Sequence, residues 1–339
     1  MEQLLSLLKT IPEYAAMVSS LQGGESVAVT GIGQINRSHM IAGLCRSLSR
    51  PMVVLCQDDL AARRLQEELK GFLSDTAPIL PGRDLTLYDA AVVSRSWEQK
   101  RLRQLYDLAA GKTSLQIMTW ESLSLRTMPK AALLSAAFSL EVGREYAVED
   151  LTARLTAAGY NRCGMVEGPG QFAVRGGILD IFSPAEDRPV RAEFFGDELD
   201  TMGFFDPATQ RRSENITSVT VLPVAETQPG LHPGGVEGLC KDITSLISRQ
   251  KRRKNINEPL IATLEKDLNK YESGLHNPAS DRYMALIYPE MATAADYIPD
   301  GAVVAVCDHG NLQRAARSRC DEMGMQLDSM LGAGLVAGE

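Results

Sequence analysis

The first 135 or so residues alternate between short apolar runs and segments whose apolar positions recur at helical spacing. The apolar runs predict buried strands at residues 26–30, 51–56 and 115–119. The helical spacing predicts helices at residues 38–48, 58–73 and 97–110. Because strands that alternate with helices are joined by right-handed crossovers, this part of the chain predicts a mainly parallel sheet.

The pattern changes near residue 140. From residue 171 to 224 the strands follow one another closely and are separated by hairpin signals, which predicts an antiparallel sheet introduced by a helix at 148–158. A lone apolar strand at 302–307 returns later, and we expect it to join the first sheet as an added edge. The predicted fold class is therefore α/β, with a parallel-sheet domain built from residues 1–138 and 227–339 and an α+β domain inserted at residues 139–226.

The segment after the first predicted strand lies where a phosphate-binding loop belongs, between a strand and a helix. The spacing Gly-x-x-x-x-Gly-Lys-Ser/Thr is almost filled by Ala28 to Ile35, with glycine at Gly31 and Gly33. Gln34, however, stands where a lysine would reach the β- and γ-phosphates, and Ile35 stands where a hydroxyl would bind magnesium. This degenerate nucleotide loop predicts that the chain does not hydrolyse ATP.

The end of the late strand has a matching defect. A nucleotide hydrolase places an aspartate and a glutamate at this position, for magnesium and for water. Here the strand is followed by Cys307, Asp308 and His309, so the glutamate is missing. A dinucleotide-binding loop is also excluded, because the third glycine of Gly-x-Gly-x-x-Gly is absent after Gly33.

The strand at residues 189–195 presents a phenylalanine on its charged face. Strand alternation places three apolar residues on one face: Val190, Ala192 and Phe194. It places on the other face Arg191, Glu193 and Phe195. The stretch 171–175 repeats the arrangement, with Phe172 and Val174 inward and with Ala173 and Arg175 outward. An aromatic residue flanked by arginines is typical of an interface hot spot, while burial of Phe195 by a neighbouring helix is the equally weighted alternative.

Composition and charge exclude several classes of protein. The 339 residues carry 35 basic and 43 acidic side chains, a net charge of −8, which argues against a protein that mainly coats nucleic acid. No uncharged apolar run reaches 18 residues, and the first residues lack a basic flank, so neither a membrane span nor a signal peptide is predicted. The six cysteines and four histidines are scattered, which disfavours a metal site and fits reduced thiols in the cytoplasm.

Two charged runs have simple structural interpretations. The carboxylates Glu193, Asp197, Glu198 and Asp200 surround a predicted hairpin turn, where solvated acids are common. The basic run at residues 249–254 is followed by acidic residues, which favours a solvated helical face over a salt-sensitive contact with DNA.

Four segments carry a resemblance to a known family. They lie at residues 159–162, 175–182, 191–200 and 205–211. In them the chain closely resembles bacterial nucleotide excision repair proteins, the family shared by the UvrB helicase and the N-terminal module of the transcription-repair coupling factors. The defective loop at Gly31 to Ile35, and the absence of room for a long tyrosine-rich hairpin between residues 87 and 97, make it similar to the coupling-factor (Mfd) module rather than to UvrB.

The resemblance implies a non-catalytic adaptor: a degenerate RecA-like domain with an inserted domain that recruits UvrA. The family's UvrA-binding residues fall on Arg175, Arg191 and Phe195. In the family, the module is followed by an RNA polymerase-binding domain and an ATP-driven DNA translocase, and a far C-terminal domain can mask the UvrA-binding surface. ATP and Mg²⁺ are thus expected only for such a motor and no cofactor for this module. Whether the chain is a fragment or a stand-alone relative stays open, and a UvrB-like ATP-dependent helicase is the alternative function.

Overall fold

A computed structural model describes residues 2–74, 76–83, 87 and 96–337. The α-helices in this part of the chain are α1 (Glu2–Leu8), α2 (Pro12–Gln22), α3 (Gln34–Leu48), α4 (Asp59–Lys70), α5 (Ser96–Ala109), α6 (Trp120–Ser124), α7 (Lys130–Ala136), α8 (Val148–Ala157), α9 (Gly235–Lys251), α10 (Glu258–Glu272), α11 (Met284–Ile287) and α12 (His309–Gly332). The strands are β1 (Met52–Cys56), β2 (Leu115–Thr119), β3 (Phe138–Glu141), β4 (Asn161–Arg162), β5 (Gln171–Arg175), β6 (Ile178–Ile181), β7 (Val190–Phe195), β8 (Glu198–Phe205), β9 (Arg212–Asn215), β10 (Ser218–Val221) and β11 (Val303–Val306). Among the described helices, none combines the length and the apolar character that crossing a bilayer requires.

The chain separates into two compact units. Unit 1 comprises Met1–Gly82, Asp107–Leu125 and Ala294–Asp321, and unit 2 comprises Arg83–Tyr106, Arg126–Thr293 and Glu322–Glu339. The predicted domain boundaries, at 1–138, 139–226 and 227–339, stay a prediction.

Unit 1 is built on a parallel sheet in the order β11-β1-β2. Ile79 extends this sheet by a parallel bridge to Ile117. Helix α4 begins after Asp58, whose carboxylate accepts a hydrogen bond from the Ala61 amide at 2.8 Å, and its buried apolar face packs into the core that surrounds the sheet. The predicted α/β class is confirmed, and the late strand joins the first sheet next to β1 as expected.

The predicted strand at residues 26–30 is wrong. These residues are described, but they form no strand, and the side chains of Val27 and Val29 are exposed. The sheet ends at β11, where Val304 and Val306 are exposed as well. The valine-rich sequence has strand propensity, but a strand also needs a hydrogen-bonding partner, and propensity does not supply one.

Unit 2 contains a six-stranded sheet in the order β4-β5-β6-β7-β8-β9. All its neighbouring pairs are antiparallel except β4 and β5. One face of the sheet packs, together with α8 and the two-stranded β3-β10 sheet, around a core that includes Leu155, Phe172, Leu179 and Ala192. The predicted antiparallel character of this region is confirmed.

A buried ion-pair network lies elsewhere in unit 2. Glu226 is fully buried and accepts a hydrogen bond from the equally buried Arg101 at 2.9 Å. Arg83 Nε lies 3.7 Å from Glu226, and its Nη2 lies 2.7 Å from Asp281. Burial alone would raise the pKa of Glu226, but the two guanidinium groups and a hydrogen bond from Thr127 outweigh it and hold that pKa below its usual value.

Candidate partner-binding site

Strand β7 carries two of the three predicted site residues, Arg191 and Phe195, on one face without interruption. Glu193 pairs with Thr201 and Phe194 pairs with Leu199, so the extra residue of the bulge is Asp200 on β8. Alternation along β7 therefore continues to its end, and Phe195 shares a face with Arg191, as predicted. Phe195 is 85% exposed. The alternative that a helix buries it is wrong.

Two tight turns bring Arg175 and Phe195 to the same end of the sheet. Arg175 pairs with Ile178 across the turn Gly176-Gly177, and Phe195 pairs with Glu198 across the next one. Each turn begins with a glycine of positive φ, 60° at Gly176 and 62° at Gly196, a backbone conformation that suits hairpins. Since β5 and β7 both run antiparallel to β6, these two turns lie side by side.

The turns are fixed by backbone contacts. The Phe194 amide donates to the Gly177 carbonyl at 2.8 Å, and a Cβ at Gly177 would lie 2.8 Å from the Phe194 carbonyl oxygen. The Tyr146 amide donates to the Asp197 carbonyl at 2.7 Å. The backbone that presents Phe195 is therefore held from both sides.

A buried carboxylate joins the two arginines. Asp180 on β6 pairs with Ala173 on β5 and with Arg191 on β7, so its side chain lies between those of the neighbouring strands. It accepts two hydrogen bonds from Arg191, from Nε at 2.7 Å and from Nη2 at 2.9 Å, and one from Arg175 Nη2 at 2.5 Å. One carboxylate neutralises only one of two guanidinium groups, so the triad of Arg175, Asp180 and Arg191 keeps a net charge of about +1.

Arg191 is held more tightly than Arg175. Its guanidinium also donates to the Gln210 backbone carbonyl at 3.3 Å and to the Gln210 side chain at 3.1 Å, and it lies 4.5 Å over the Phe205 ring. The hydrogen bonds to Asp180 raise the pKa of Arg191 above its ordinary value. The Arg191 side chain is only 16% exposed, whereas that of Arg175 is 46% exposed.

Arg175, Arg191 and Phe195 form a surface patch, and the sheet register sets the distances between them. Arg175 pairs with Ile178, which pairs with Glu193, so Arg175 is level with Glu193 and two strands away from it. With strand spacing near 4.8 Å and a rise near 3.3 Å per residue, the Cα atoms of Arg175, Arg191 and Phe195 form a triangle with sides of about 12–13 Å. This patch is small enough for one partner surface to contact all three residues.

Ala173 departs from the prediction that it faces solvent. It lies on the same face of the sheet as Arg175, but it is buried in a small apolar cluster with Val166, Phe182 and Phe205. The outer face of the sheet therefore has its own core beside the charged triad, and strand alternation cannot show that a second layer covers part of a face.

Two residues of this site were missed by the sequence reasoning. Asp180 could have been found, because a two-residue turn at Gly176-Gly177 fixes the register of β5 and β6, which places Asp180 opposite Ala173 on the same face as Arg175. Gln210 has no such signal, since it reaches Arg191 from the loop before β9 in a left-handed conformation with φ 61°.

The degenerate nucleotide loop lies in unit 1. Gly31 has a positive φ of 80°, and Gly33 is the N-cap of α3 and offers no capping side chain. Gln34 begins that helix, and Ile35 lies in its first turn. A nearby cation, Arg37, is paired with Asp308 at 3.5 Å. Arg37 therefore already has a carboxylate partner, and the expectation that this loop neither holds nor hydrolyses a triphosphate stays a prediction.

In the described ranges, no group of three or more His, Cys, Asp or Glu residues could hold a metal ion. Glu193 pairs instead with Arg212 at 3.0 Å. Lys251, in the basic run, pairs with Glu265 at 2.7 Å. Most residues between 87 and 97, on which the missing-hairpin prediction rests, lie outside the described residues.

An exposed aromatic side chain that shares a sheet face with two guanidinium groups, both bonded to one buried carboxylate, is suited to binding another protein. Residues 138–226, which carry the whole patch, match the family described as UvrB interaction domain. Beyond this segment, the chain is similar over most of its length to transcription-repair-coupling factors, which confirms the resemblance inferred from the sequence.

Three of these relatives illustrate the extent of the similarity. The protein of Myxococcus xanthus is 32% identical over 221 residues, 63% of this chain and 18% of its own length. That of Bacillus subtilis is 24% identical over 308 residues, 90% of this chain and 26% of its own length. That of Escherichia coli is 26% identical over 216 residues, which are 64% of this chain and 19% of its own length. The chain thus spans about a fifth to a quarter of the length of these relatives.

Proposed function

We propose that this chain is an adaptor module of transcription-coupled nucleotide excision repair that binds UvrA and recruits it to RNA polymerase stalled at DNA damage. The observation that carries the proposal is the exposure of Phe195 beside Arg175 and Arg191, on a domain that matches the UvrB interaction domain. The names of the coupling-factor relatives support the setting in transcription and repair.

The chemistry of the patch defines the surface that UvrA must offer. Phe195 requires an apolar pocket, and the surplus positive charge of the triad requires carboxylates at the rim of that pocket. In a longer protein, contacts with RNA polymerase and DNA would come from other domains, and a C-terminal domain with the same surface chemistry could mask the patch in the resting state.

Titration of this chain with purified UvrA tests the proposal. We expect saturable binding that Arg175→Gln weakens several-fold, because the substitution removes a half-exposed rim cation but leaves an amide that can still donate to Asp180. Arg188→Gln is the matched control: Arg188 lies in the same domain, is also 46% exposed and is paired with Glu214 at 2.8 Å. Equal losses in the two variants, or no binding by the unchanged chain, would contradict the proposal.

We also propose that the module does not hydrolyse ATP. Three features support this: Gln34 replaces the lysine, Arg37 is engaged by Asp308, and residues 26–30 do not form the strand that should precede the loop. A radiolabelled ATP assay on this chain, with and without DNA, is expected to give no turnover above a blank. Turnover that is lost on changing Gln34 to alanine would favour the UvrB-like helicase instead.

A further inference from the structure

Two buried cysteines lie side by side at the carboxyl ends of neighbouring strands in unit 1. Leu55 on β1 pairs with Val306 on β11, and the Cys307 amide donates to the Leu55 carbonyl at 3.0 Å. The parallel register therefore places Cys56, the last residue of β1, next to Cys307. Residues that are level on neighbouring strands have side chains on the same face of the sheet, and both cysteines line one cavity, so the two thiols are neighbours.

The strand geometry permits a bond between them. Neighbouring strands lie about 4.8 Å apart, and the Cα atoms of disulfide-linked cysteines lie about 4.4–6.8 Å apart. Both cysteines are free thiols in this structure, so the pair is in its reduced form.

A cavity gives small molecules access to the pair. It has a volume of about 290 Å³, and both cysteines line it together with Gln34, Arg37 and Arg64. The cavity lies beside the first turn of α3, where helix N–H groups also favour an anion. A reagent the size of hydrogen peroxide can enter a space of this volume.

The surroundings activate Cys307 in particular. The adjacent Cys56 thiol and the Arg37 guanidinium lower the pKa of Cys307, although burial acts against them, while the adjacent Cys307 and burial raise the pKa of Cys56. Arg37 is itself held by Asp308, a non-glycine residue with a positive φ of 58°. Such strained backbone clusters at functional sites.

We propose that Cys56 and Cys307 form a redox-sensitive dithiol that a peroxide converts into a disulfide between β1 and β11. The Cys307 thiolate attacks one peroxide oxygen, the O–O bond breaks, and after protonation water leaves, so that Cys307 becomes a sulfenic acid. The Cys56 sulfur then attacks the Cys307 sulfur and expels the hydroxyl group, which leaves as water with the Cys56 proton. In sum, two thiols and one hydrogen peroxide give one disulfide and two waters, with two electrons passing from sulfur to oxygen.

Cysteines outside the pair provide internal references for the test. The other cysteines are Cys45, Cys163, Cys240 and Cys320, of which only Cys320 is exposed. The chain is incubated with a small excess of hydrogen peroxide, free thiols are alkylated after denaturation, and the products are analysed by peptide mass spectrometry. We expect a Cys56–Cys307 cross-linked peptide, two hydrogens lighter than its parts, while Cys45 stays alkylated. Recovery of both Cys56 and Cys307 as alkylated thiols, when Cys320 is oxidised in the same sample, would overturn the proposal.

Two variants test the roles of Cys56 and Arg37 separately. In Cys56→Ser the resolving thiol is absent, so Cys307 should accumulate as a sulfenic acid that dimedone traps. In Arg37→Gln the cross-link should form several-fold more slowly than in the unchanged chain, because the thiolate loses its guanidinium partner. Cys45→Ser is the matched control and should oxidise at the unchanged rate. Absence of dimedone adduct in Cys56→Ser, with a circular dichroism spectrum like that of the parent, would contradict the assignment of Cys307 as the attacking sulfur.

Discussion

Replacing Phe195 with alanine is expected to weaken the binding of UvrA at least tenfold and to leave the fold intact. The ring is 85% exposed in the free chain, so its removal opens no cavity in the core. In the complex, a central aromatic residue contributes about 2 kcal/mol or more, which corresponds to a roughly 30-fold change in Kd. Isothermal titration calorimetry at physiological salt measures the difference directly.

Met291→Ala is a suitable control for that experiment. Met291 is also strongly exposed and lies in unit 2, but outside the residues that match the UvrB interaction domain. Its loss should leave the affinity unchanged. If Phe195→Ala and Met291→Ala bind UvrA as well as the parent does, the binding surface lies elsewhere on the chain.

Charge reversal at Arg191 would be a less informative test than the neutral Arg175→Gln, because Arg191 donates two hydrogen bonds to Asp180 and Arg175 donates one. A glutamate at this position would face the buried Asp180 carboxylate and leave it without its two-point partner. We therefore expect the Arg191 variant to lose stability as well as affinity, so that its binding loss cannot be assigned to the interface alone.

The largest effect on stability is expected for Glu226→Gln. This substitution removes the negative charge that compensates the buried Arg101 and part of Arg83, and breaking a buried ion pair of this kind costs about 3–5 kcal/mol. Urea unfolding followed by circular dichroism measures the loss. Glu141→Gln is the control, because the pair of Glu141 with Arg144 is exposed and contributes at most about 1 kcal/mol.

The same network predicts how stability depends on pH. The pKa of Glu226 in the folded chain is lower than its ordinary value of 4.5, so the folded state binds a proton less readily than the unfolded state. The contribution of Glu226 to stability is therefore complete above about pH 4.5 and is lost as the pH falls through the lower folded pKa. Glu226→Gln should accordingly flatten the acid side of the stability profile. An acid side as steep in the variant as in the parent would contradict this role for Glu226.

Periodicity predicted most of the elements that place the site. The hairpins around Gly176 and Gly196, the alternation along β7 and the return of β11 to the first sheet follow from apolar spacing and turn chemistry, which act over a few residues. The failure at residues 26–30 has the opposite origin: Val27 and Val29 fit a strand locally, but whether they pair depends on a neighbour that local sequence does not specify.

For the site, too, the sequence predicted the local arrangement and not the tertiary contacts. Arg175, Arg191 and Phe195 could be placed on one face because alternation is a local property. Their difference in exposure could not be predicted, because it arises when Asp180 and Gln210 approach Arg191 from separate strands and loops. Local pattern thus indicates which side chains can meet a partner, and tertiary packing decides how firmly each is held.

The hydrogen bonds that hold Arg191 have a consequence for the strength and lifetime of a complex. A long, freely rotating side chain loses conformational entropy when a complex forms, at a cost of about 0.5–1.5 kcal/mol. The Arg191 guanidinium is already immobilised by Asp180 and Gln210 before any encounter, so this cost was met during folding. A partner protein therefore binds an arginine that is already ordered. The resulting gain in binding free energy should appear mainly as a slower dissociation rate.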